Sequence, residues 1–255
     1  MFTPAALKQF TGTLDVFDIK VTNLVSTYGA DFILSNCALG ASPKWCSLVH
    51  RAGNGSLWLS PAGYINDTNV NAGAVRTAGV DVGLRYRADL GAAGTLSTDL
   101  TGTYVSKWDV SPFGATTYSC LGLFGTICGV PTPKWRHNLN LDWATPVAGL
   151  SASLEWRYTI RVKNETTSSE LSDFGPPPST SGDAHLPSVS YFDIAAAYRW
   201  QDLTFRAGIN NVLDKDPPLV GAGSIGNNVF GENNTYPQIY DTLGRFVHVS
   251  VSAKF

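Results

Sequence analysis

Residues Arg245 to Phe255 read RFVHVSVSAKF. Odd positions carry Val247, Val249, Val251, Ala253 and Phe255, and even positions carry His248, Ser250, Ser252 and Lys254. An apolar set that recurs every second residue is the signature of a strand with one apolar and one polar face. A soluble sandwich strand shows the same alternation, but it rarely ends a chain on an aromatic ring. Eleven residues, moreover, is about the length of a tilted strand that crosses a hydrocarbon layer.

The same alternation recurs upstream. A first strand is expected over about Gly12 to Thr27, where Leu14 and Val16 share one parity and Phe17, Ile19 and Val21 the other, so a bulge is expected near Val16 and Phe17. A second runs from about Val75 to Leu90, with Ala78, Val80, Val82, Leu84 and Tyr86 opposed to Asp81, Arg85 and Arg87. A third covers Thr95 to Asp109, a fourth Lys134 to Thr145 and a fifth Leu150 to Lys163. In the fourth, Trp135, His137, Leu139, Leu141 and Trp143 oppose Arg136, Asn138, Asn140 and Asp142. In the fifth, Leu154, Trp156, Tyr158, Ile160 and Val162 oppose Glu155, Arg157, Thr159 and Arg161. A sixth spans Ser190 to Trp200, and a seventh starts at Leu203 after only Gln201 and Asp202.

With the closing strand this predicts about eight strands, and their connections alternate long and short. Tyr28 to about Val70, Val110 to Pro133, Asn164 to Ser188 and the stretch after Asn210 are long; Gly91 to Gly94, Pro146 to Gly149 and Gln201-Asp202 are short. Long connections kept at one end and short ones at the other mark a transmembrane barrel wall, with long extracellular loops and short periplasmic turns. Trp143 and Trp200 fall beside short turns and Trp108 and Trp135 beside long loops, the two interfacial levels where amphipathic rings belong.

Composition agrees with an all-β chain. Of 255 residues only 15% are charged and 44% are hydrophobic, and Gly (25), Trp (7) and Tyr (10) suit short strands with aromatic belts better than helices. A net charge of −2, with no Lys/Arg cluster, leaves no footprint for nucleic acid. The N-terminus MFTPAALKQF has neither a basic nor an apolar signal region, so the chain is expected to be the C-terminal piece of a longer exported protein. Cys37 with Cys46 and Cys120 with Cys128 form two local pairs; neither spacing is a zinc pattern, and disulfides in exported loops are expected.

The stretch RAGINNVLDKDPP, Arg206 to Pro218, resembles the NxxDK segment in the penultimate strand of TonB-dependent outer-membrane receptors. FDIKVTNLVST, TAGVDVGLRYR, PKWRHNLNLDW, YFDIAAAYRW and GRFVHVSVSAKF, in that order, extend the resemblance over nearly all 255 residues. It implies that residues 1–255 are the C-terminal segment of a barrel of about 22 strands, with the plug domain, the TonB box and the earlier strands outside this sequence. It further implies import of a scarce nutrient, an iron-siderophore complex or an oligosaccharide, energised by TonB through that plug. Phe255 would be the assembly signal read by the barrel-insertion machinery, and outer-membrane lipid would face the apolar side.

Asp81, Arg85, Arg87, Asp99, Arg136, Asp142, Glu155, Arg157, Arg161, Asp193, Arg199 and Arg206 are expected to line the lumen, chiefly as cross-strand charge pairs and secondarily as substrate contacts. Gly221 to Gly226 matches GxGxxG, but NNVFGENN follows instead of a helix, so no dinucleotide site is expected. The sequons at Asn66, Asn164 and Asn233 are incidental in such a membrane. His137 and His248 read as sheet residues, and nothing resembles a nucleophile elbow, so neither an enzyme nor a cofactor is expected. Two other readings remain: a complete eight-stranded barrel with a structural or adhesive role, and a soluble carbohydrate-binding sandwich.

Overall fold

The computed structural model describes residues 2, 9–40, 42–112, 117–125, 127–168, 184–221 and 235–254. Its strands are β1 (Phe10–Ser26), β2 (Val49–His50), β3 (Tyr64–Ile65), β4 (Val70–Asp89), β5 (Thr95–Ser111), β6 (Tyr118–Ser119), β7 (Leu123–Phe124), β8 (Trp135–Ala144), β9 (Leu150–Thr159), β10 (Val162–Asn164), β11 (His185–Leu186), β12 (Val189–Trp200), β13 (Leu203–Asn210) and β14 (Phe246–Ala253); two helices, α1 (Ala30–Gly40) and α2 (Pro43–Cys46), follow β1.

The eight long strands form one sheet in the order β1-β4-β5-β8-β9-β12-β13-β14, so each pairs with the next long strand in the chain; among the described residues β1 and β14 end the row, and Phe2 bridges to Gly12 beside β1. This is the antiparallel meander that the alternation predicts. Its register carries the alternation sideways. Leu141 faces Leu154, Leu154 faces Ile194, Ile194 faces Ile209, and Ile209 faces Val247, which makes one apolar row across five strands. One residue along, Asp99 faces Asn140, Asn140 faces Glu155 and Glu155 faces Asp193, a polar row on the other side. The period of two thus gives the whole wall one face of each kind.

Short turns close the strands at one end. Between β12 and β13, Gln201 takes the left-handed conformation with φ 54°, and the Trp143 indole donates to the Ala93 carbonyl (2.8 Å) at the β4–β5 turn. Three glycines make room for rings on neighbouring strands. A Cβ on Gly79 would stand 2.6 Å from the Phe17 ring, one on Gly102 2.5 Å from Trp135, and one on Gly208 2.6 Å from His248.

The chain divides into two compact units, one of Met1–Asp18, Thr77–Trp108 and Ser119–Phe255 and one of Ile19–Arg76 and Asp109–Tyr118. In the first, a core gathers residues that come largely from long connections: Phe124, Val162, Leu186, Val189, Tyr191, Val220, Tyr236 and Tyr240. There β10 joins β11 and β7 in a small separate sheet. Buried Glu165 accepts from the backbone N–H groups of Ile127 (3.0 Å) and Cys128 (2.7 Å), so its carboxylate holds the turn that the Cys120–Cys128 bond closes. Asn164 heads the turn at Glu165 by accepting from the Thr166 N–H (3.0 Å), which gives that sequon an internal structural role.

In the second unit, Asp67 accepts from the N–H groups of Tyr28 (3.0 Å) and Gly29 (3.1 Å) immediately before α1, and Cys37–Cys46 ties α1 to α2. Trp45 packs edge-on against Tyr28 (4.7 Å) and Phe32 (5.3 Å).

Three details differ from the sequence reading. The first long connection holds helices where an irregular loop is expected; it lacks the period of two, and Asp31 in the first turn of α1 suits a helix N-terminus. The fifth strand leaves the wall at Thr159 instead of Lys163. The Ile160 N–H still donates to the Trp135 carbonyl (3.1 Å), but Val162 then pairs with Leu186 in the small sheet, so the alternation continues on a different partner. The parity of β1 does not slip at Val16 and Phe17: Thr13 and Asp15 share a face with Phe17, whose ring lies over Gly79. The residue in this strand with left-handed φ is Asn23 (58°).

Candidate functional site

Polar side chains that alternate along successive strands come together over one concavity. A cavity of about 510 Å³ is lined by residues of six neighbouring strands, among them Thr13 and Asp15 of β1, Asp81 of β4, Thr101 and Thr103 of β5, Arg136 and Asn138 of β8, Arg157 of β9 and Tyr191 of β12. Gln238 and Ile239, from the connection between β13 and β14, complete the lining.

The ionic groups in this lining are not equivalent. Arg157 is committed: its Nε donates to Asp193 Oδ2 (2.7 Å), its Nη2 donates to Asp193 Oδ1 (3.1 Å) and reaches Asp241 Oδ2 (3.4 Å), and its guanidinium lies 5.1 Å from the centre of the Tyr191 ring. Such a bidentate, half-buried pair has a fixed geometry as well as energy. Asp193 also accepts from the Asn211 N–H (2.6 Å), and the Asp241 N–H donates to the Tyr191 hydroxyl (3.2 Å). These contacts fasten the β13–β14 connection to the wall beside the cavity. Asp81 accepts from the Thr103 hydroxyl (2.7 Å). Arg136 has no ion pair among the described residues, and its partners in register are Thr103 and Thr159.

The remaining expected lumen charges are scattered over the same sheet. Arg85 donates to Asp99 (2.8 Å) across β4 and β5, and Arg206 reaches Ser252 (3.4 Å) across β13 and β14. Asp142 stands opposite Ser97 and Ser153, Glu155 opposite Asn140 and Asp193, and Arg199 opposite Thr204. Arg87 is exposed near the short-turn end of β4. Arg161 lies beyond the end of β9, where its N–H donates to Ser188 (3.0 Å). Only Asp81, Arg136 and Arg157 of this set reach the cavity. Phe255 and most of the GxGxxG stretch (222–226) lie outside the described residues.

Thr13, Asp15, Gln238, Ile239 and Asp241 are site residues that the sequence reading does not select. The first two sit in the strand whose phase is hardest to read, and the others in a connection without periodicity. The NxxDK segment, by contrast, has a visible reason. Asn211 is fully buried with φ 49°; its Nδ2 donates to the Lys215 carbonyl (2.9 Å) and its Oδ1 accepts from the Lys215 N–H (2.8 Å). Asp214, also left-handed, accepts from the Arg245 N–H (2.9 Å), which joins this turn to the start of β14.

His137 and His248 are sheet residues: Trp135 Nε1 donates to His137 Nδ1 (2.9 Å), and the His248 ring covers Gly208. Among the described residues no group of His, Cys, Asp and Glu side chains is placed to hold a metal ion.

Residues 3–212 match the family described as TonB dependent receptor-like, beta-barrel. No curated protein matches the chain. Among solved structures, a mutant of the ferric enterobactin receptor PfeA of Pseudomonas aeruginosa superimposes with TM-score 0.61 at 20% identity, covering 97% of this chain and 29% of that one. The FrpB iron transporter of Neisseria meningitidis gives TM-score 0.53 at 12% identity, covering 95% and 29%. The ferric-catecholate import receptor Fiu of E. coli K12 gives 0.51 at 14%, covering 98% and 26%. The chain therefore spans less than a third of these proteins, and at such identities the likeness shows the fold alone. Strand order, register and family match agree: this chain belongs to the TonB-dependent receptor β-barrel family of the bacterial outer membrane.

Proposed function

We propose that residues 1–255 are the C-terminal part of the barrel wall of an importer that takes up a scarce nutrient, an iron-siderophore complex or an oligosaccharide, with energy delivered by TonB through a plug domain outside this sequence. The observation that carries the reading is the cavity on the polar face, where side chains from six strands and one long connection converge. Its hydroxyl, amide and ionic groups suit a polar cargo, and the opposite face is apolar enough to meet lipid. The twelve charges of the sequence reading would line the lumen of the complete barrel, and those of them left unpaired here would meet cargo or plug.

The open edges also favour a wall segment over a complete eight-stranded barrel. Among the described residues no further long strand pairs with β1 or β14, although Phe2 and Gly12 exchange backbone hydrogen bonds (2.7 and 2.9 Å) beside β1, and lipid offers the remaining edge groups no hydrogen bonds. The barrel-assembly machinery would recognise the closing strand, with Phe255 as its signal.

Uptake by cells that carry or lack the native gene, measured with labelled ferric siderophores and oligosaccharides, tests the proposal. Uptake of at least one cargo should need both the gene and TonB. Removal of Phe255 should lower the amount of heat-modifiable barrel in the outer membrane. Robust uptake by residues 1–255 alone would overturn the assignment as a segment.

A further inference from the structure

The NxxDK turn after β13 holds two of the four non-glycine residues whose φ is left-handed among the described residues, Asn211 (49°) and Asp214 (53°). Side chains disfavour that conformation, and it persists only where neighbouring contacts enforce it. At Asn211 those contacts can be followed atom by atom. The β12–β13 ladder runs as far as Ile194 opposite Ile209. Beyond it the Asn211 N–H meets the Asp193 carboxylate (2.6 Å) in place of a backbone carbonyl, and the Val212 N–H then returns to the Phe192 carbonyl (2.8 Å). Arg157 grips both oxygens of Asp193 and so aims that carboxylate. The chain is thereby bent out of β13 as at a bulge. The fully buried Asn211 amide closes the turn by bonding both backbone groups of Lys215.

The bend delivers Asp214 to the far end of the same connection. Its Oδ1 accepts from the N–H of Arg245, 31 residues on, directly before β14 begins at Phe246 (2.9 Å). Gly244 makes the approach possible: its φ is 67°, and an added Cβ would stand 3.2 Å from Asp214 Oδ1. The Arg245 guanidinium is 3.9 Å away and both side chains are about half exposed, so the acceptor atom matters more than the charge.

The closing strand has little else to hold it. Among the described residues β14 pairs with β13 alone, whereas β9 and β12 each have a strand on both sides. It also arrives after a long connection, whose closure costs chain entropy before any ladder bond forms. The Asp214–Arg245 contact shuts that connection at its base, beside the first ladder pair, Asn210 with Phe246.

Resting on the reading of this chain as barrel wall, we infer that the NxxDK turn is an assembly element distinct from the terminal Phe255: it clasps the start of the closing strand to the end of β13 and so holds β14 in its ladder. Asn211 with Asp193 is the fixed half of the clasp, and Asp214 is the half that meets β14. Phe255 is read from outside the chain; the clasp acts within it.

The test compares Asn211→Ala, Asn211→Gly, Asp214→Ala, Asp214→Asn and removal of Phe255, each in the protein at its native length. Heat-modifiable barrel in the outer membrane measures assembly, and hydrogen exchange of the detergent-extracted barrels measures how firmly β14 is held. Asn211→Ala and Asp214→Ala should lower the assembled amount. In the barrels that do form, exchange at 246–253 should quicken by about tenfold, the scale of one or two lost hydrogen bonds, while β9 keeps its protection. Removal of Phe255 should lower the amount but leave exchange at 246–253 as in the wild type. Asn211→Gly tolerates the left-handed φ but lacks the amide, so it should behave like Asn211→Ala. Asp214→Asn keeps an acceptor and should behave like the wild type. If Asn211→Ala does not assemble at all, Asp214→Ala decides, because that side chain is exposed. Wild-type exchange in Asp214→Ala, wild-type behaviour of Asn211→Gly, or equal loosening of β9 and β14 overturns the clasp and leaves the assignment to the barrel wall standing. Uptake by residues 1–255 alone, which overturns that assignment, is read in a separate assay without these variants.

Discussion

On the wall, Val16 and Val249 are 77% and 74% exposed, whereas in the core built largely from long connections Phe124 and Tyr236 are 0% and 1% exposed. The same kind of side chain is bare in the strands and enclosed in the connections. A water-soluble sheet protein does the opposite, hiding apolar strand residues and leaving its loops polar. The inversion teaches that the two regions answer to different solvents: the connections must bury their apolar groups from water, and the strand face is matched by hydrocarbon.

This contrast can be broken most sharply in the connection core. Phe124→Ala should cost about 3–5 kcal/mol locally, since a fully enclosed ring leaves a cavity behind. Hydrogen exchange should quicken around residues 120–132 and 162–164 while the wall strands keep their protection. Uniform loosening of both regions would show that they are not independent.

The strand face gives the next largest effect. Ile194→Arg or Leu141→Arg should cost on the order of 2–4 kcal/mol near the midplane, and Ser153→Arg, on the polar parity, far less. Equal losses of heat-modifiable barrel for the two parities would mean that both faces meet the same medium, and the contrast would collapse.

Each disulfide closes a loop of about ten residues and should stabilise its own connection by at most roughly 2–3 kcal/mol. Intact-mass measurement of the unreduced protein should show Cys37–Cys46 and Cys120–Cys128 linked. Four free thiols would refute the pairing.

The smallest effect is confined to alkaline pH. Burial, and then the charge of Glu165, push the Tyr236 phenol from 10.0 up to about 12, and burial raises Tyr240 as well, with Tyr191 and Tyr236 adding to it. The folded state therefore keeps a proton that the unfolded chain releases. This contribution is complete below pH 10 and is lost as pH rises from 10 through about 12. Tyrosinate absorbance should then appear together with opening of the connection core; ionisation with the core intact would place Tyr236 in contact with water.

The wall was legible because a period of two survives in nearly every long strand, from Ala78 to Arg87, Trp135 to Trp143 and Val247 to Ala253. Arg161 shows where that signal misleads: its alternation is unbroken, but at Val162 the backbone changes partners, which side-chain pattern cannot report. The helices after β1, the cavity contacts of Gln238 and Ile239, and the contact of Asp241 with Arg157 were not legible. They depend on how long connections fold back, and no local period marks that. Arg157 was legible as a polar-face charge, yet its pairing with Asp241 joins residues 84 apart in sequence.

The three rings that lie over Gly79, Gly102 and Gly208 also bear on how the strands find their alignment. A sheet with one apolar face tolerates a slip of two residues, because parity is preserved and every side chain keeps its medium. Such a slip would carry Trp135, for example, from Gly102 onto Leu100 or Tyr104, where a side chain already occupies the space. Each glycine with its ring thus acts as a notch and a tooth. Hydrophobic patterning sorts the strands by face, and these interlocks choose one alignment among those that patterning leaves equal.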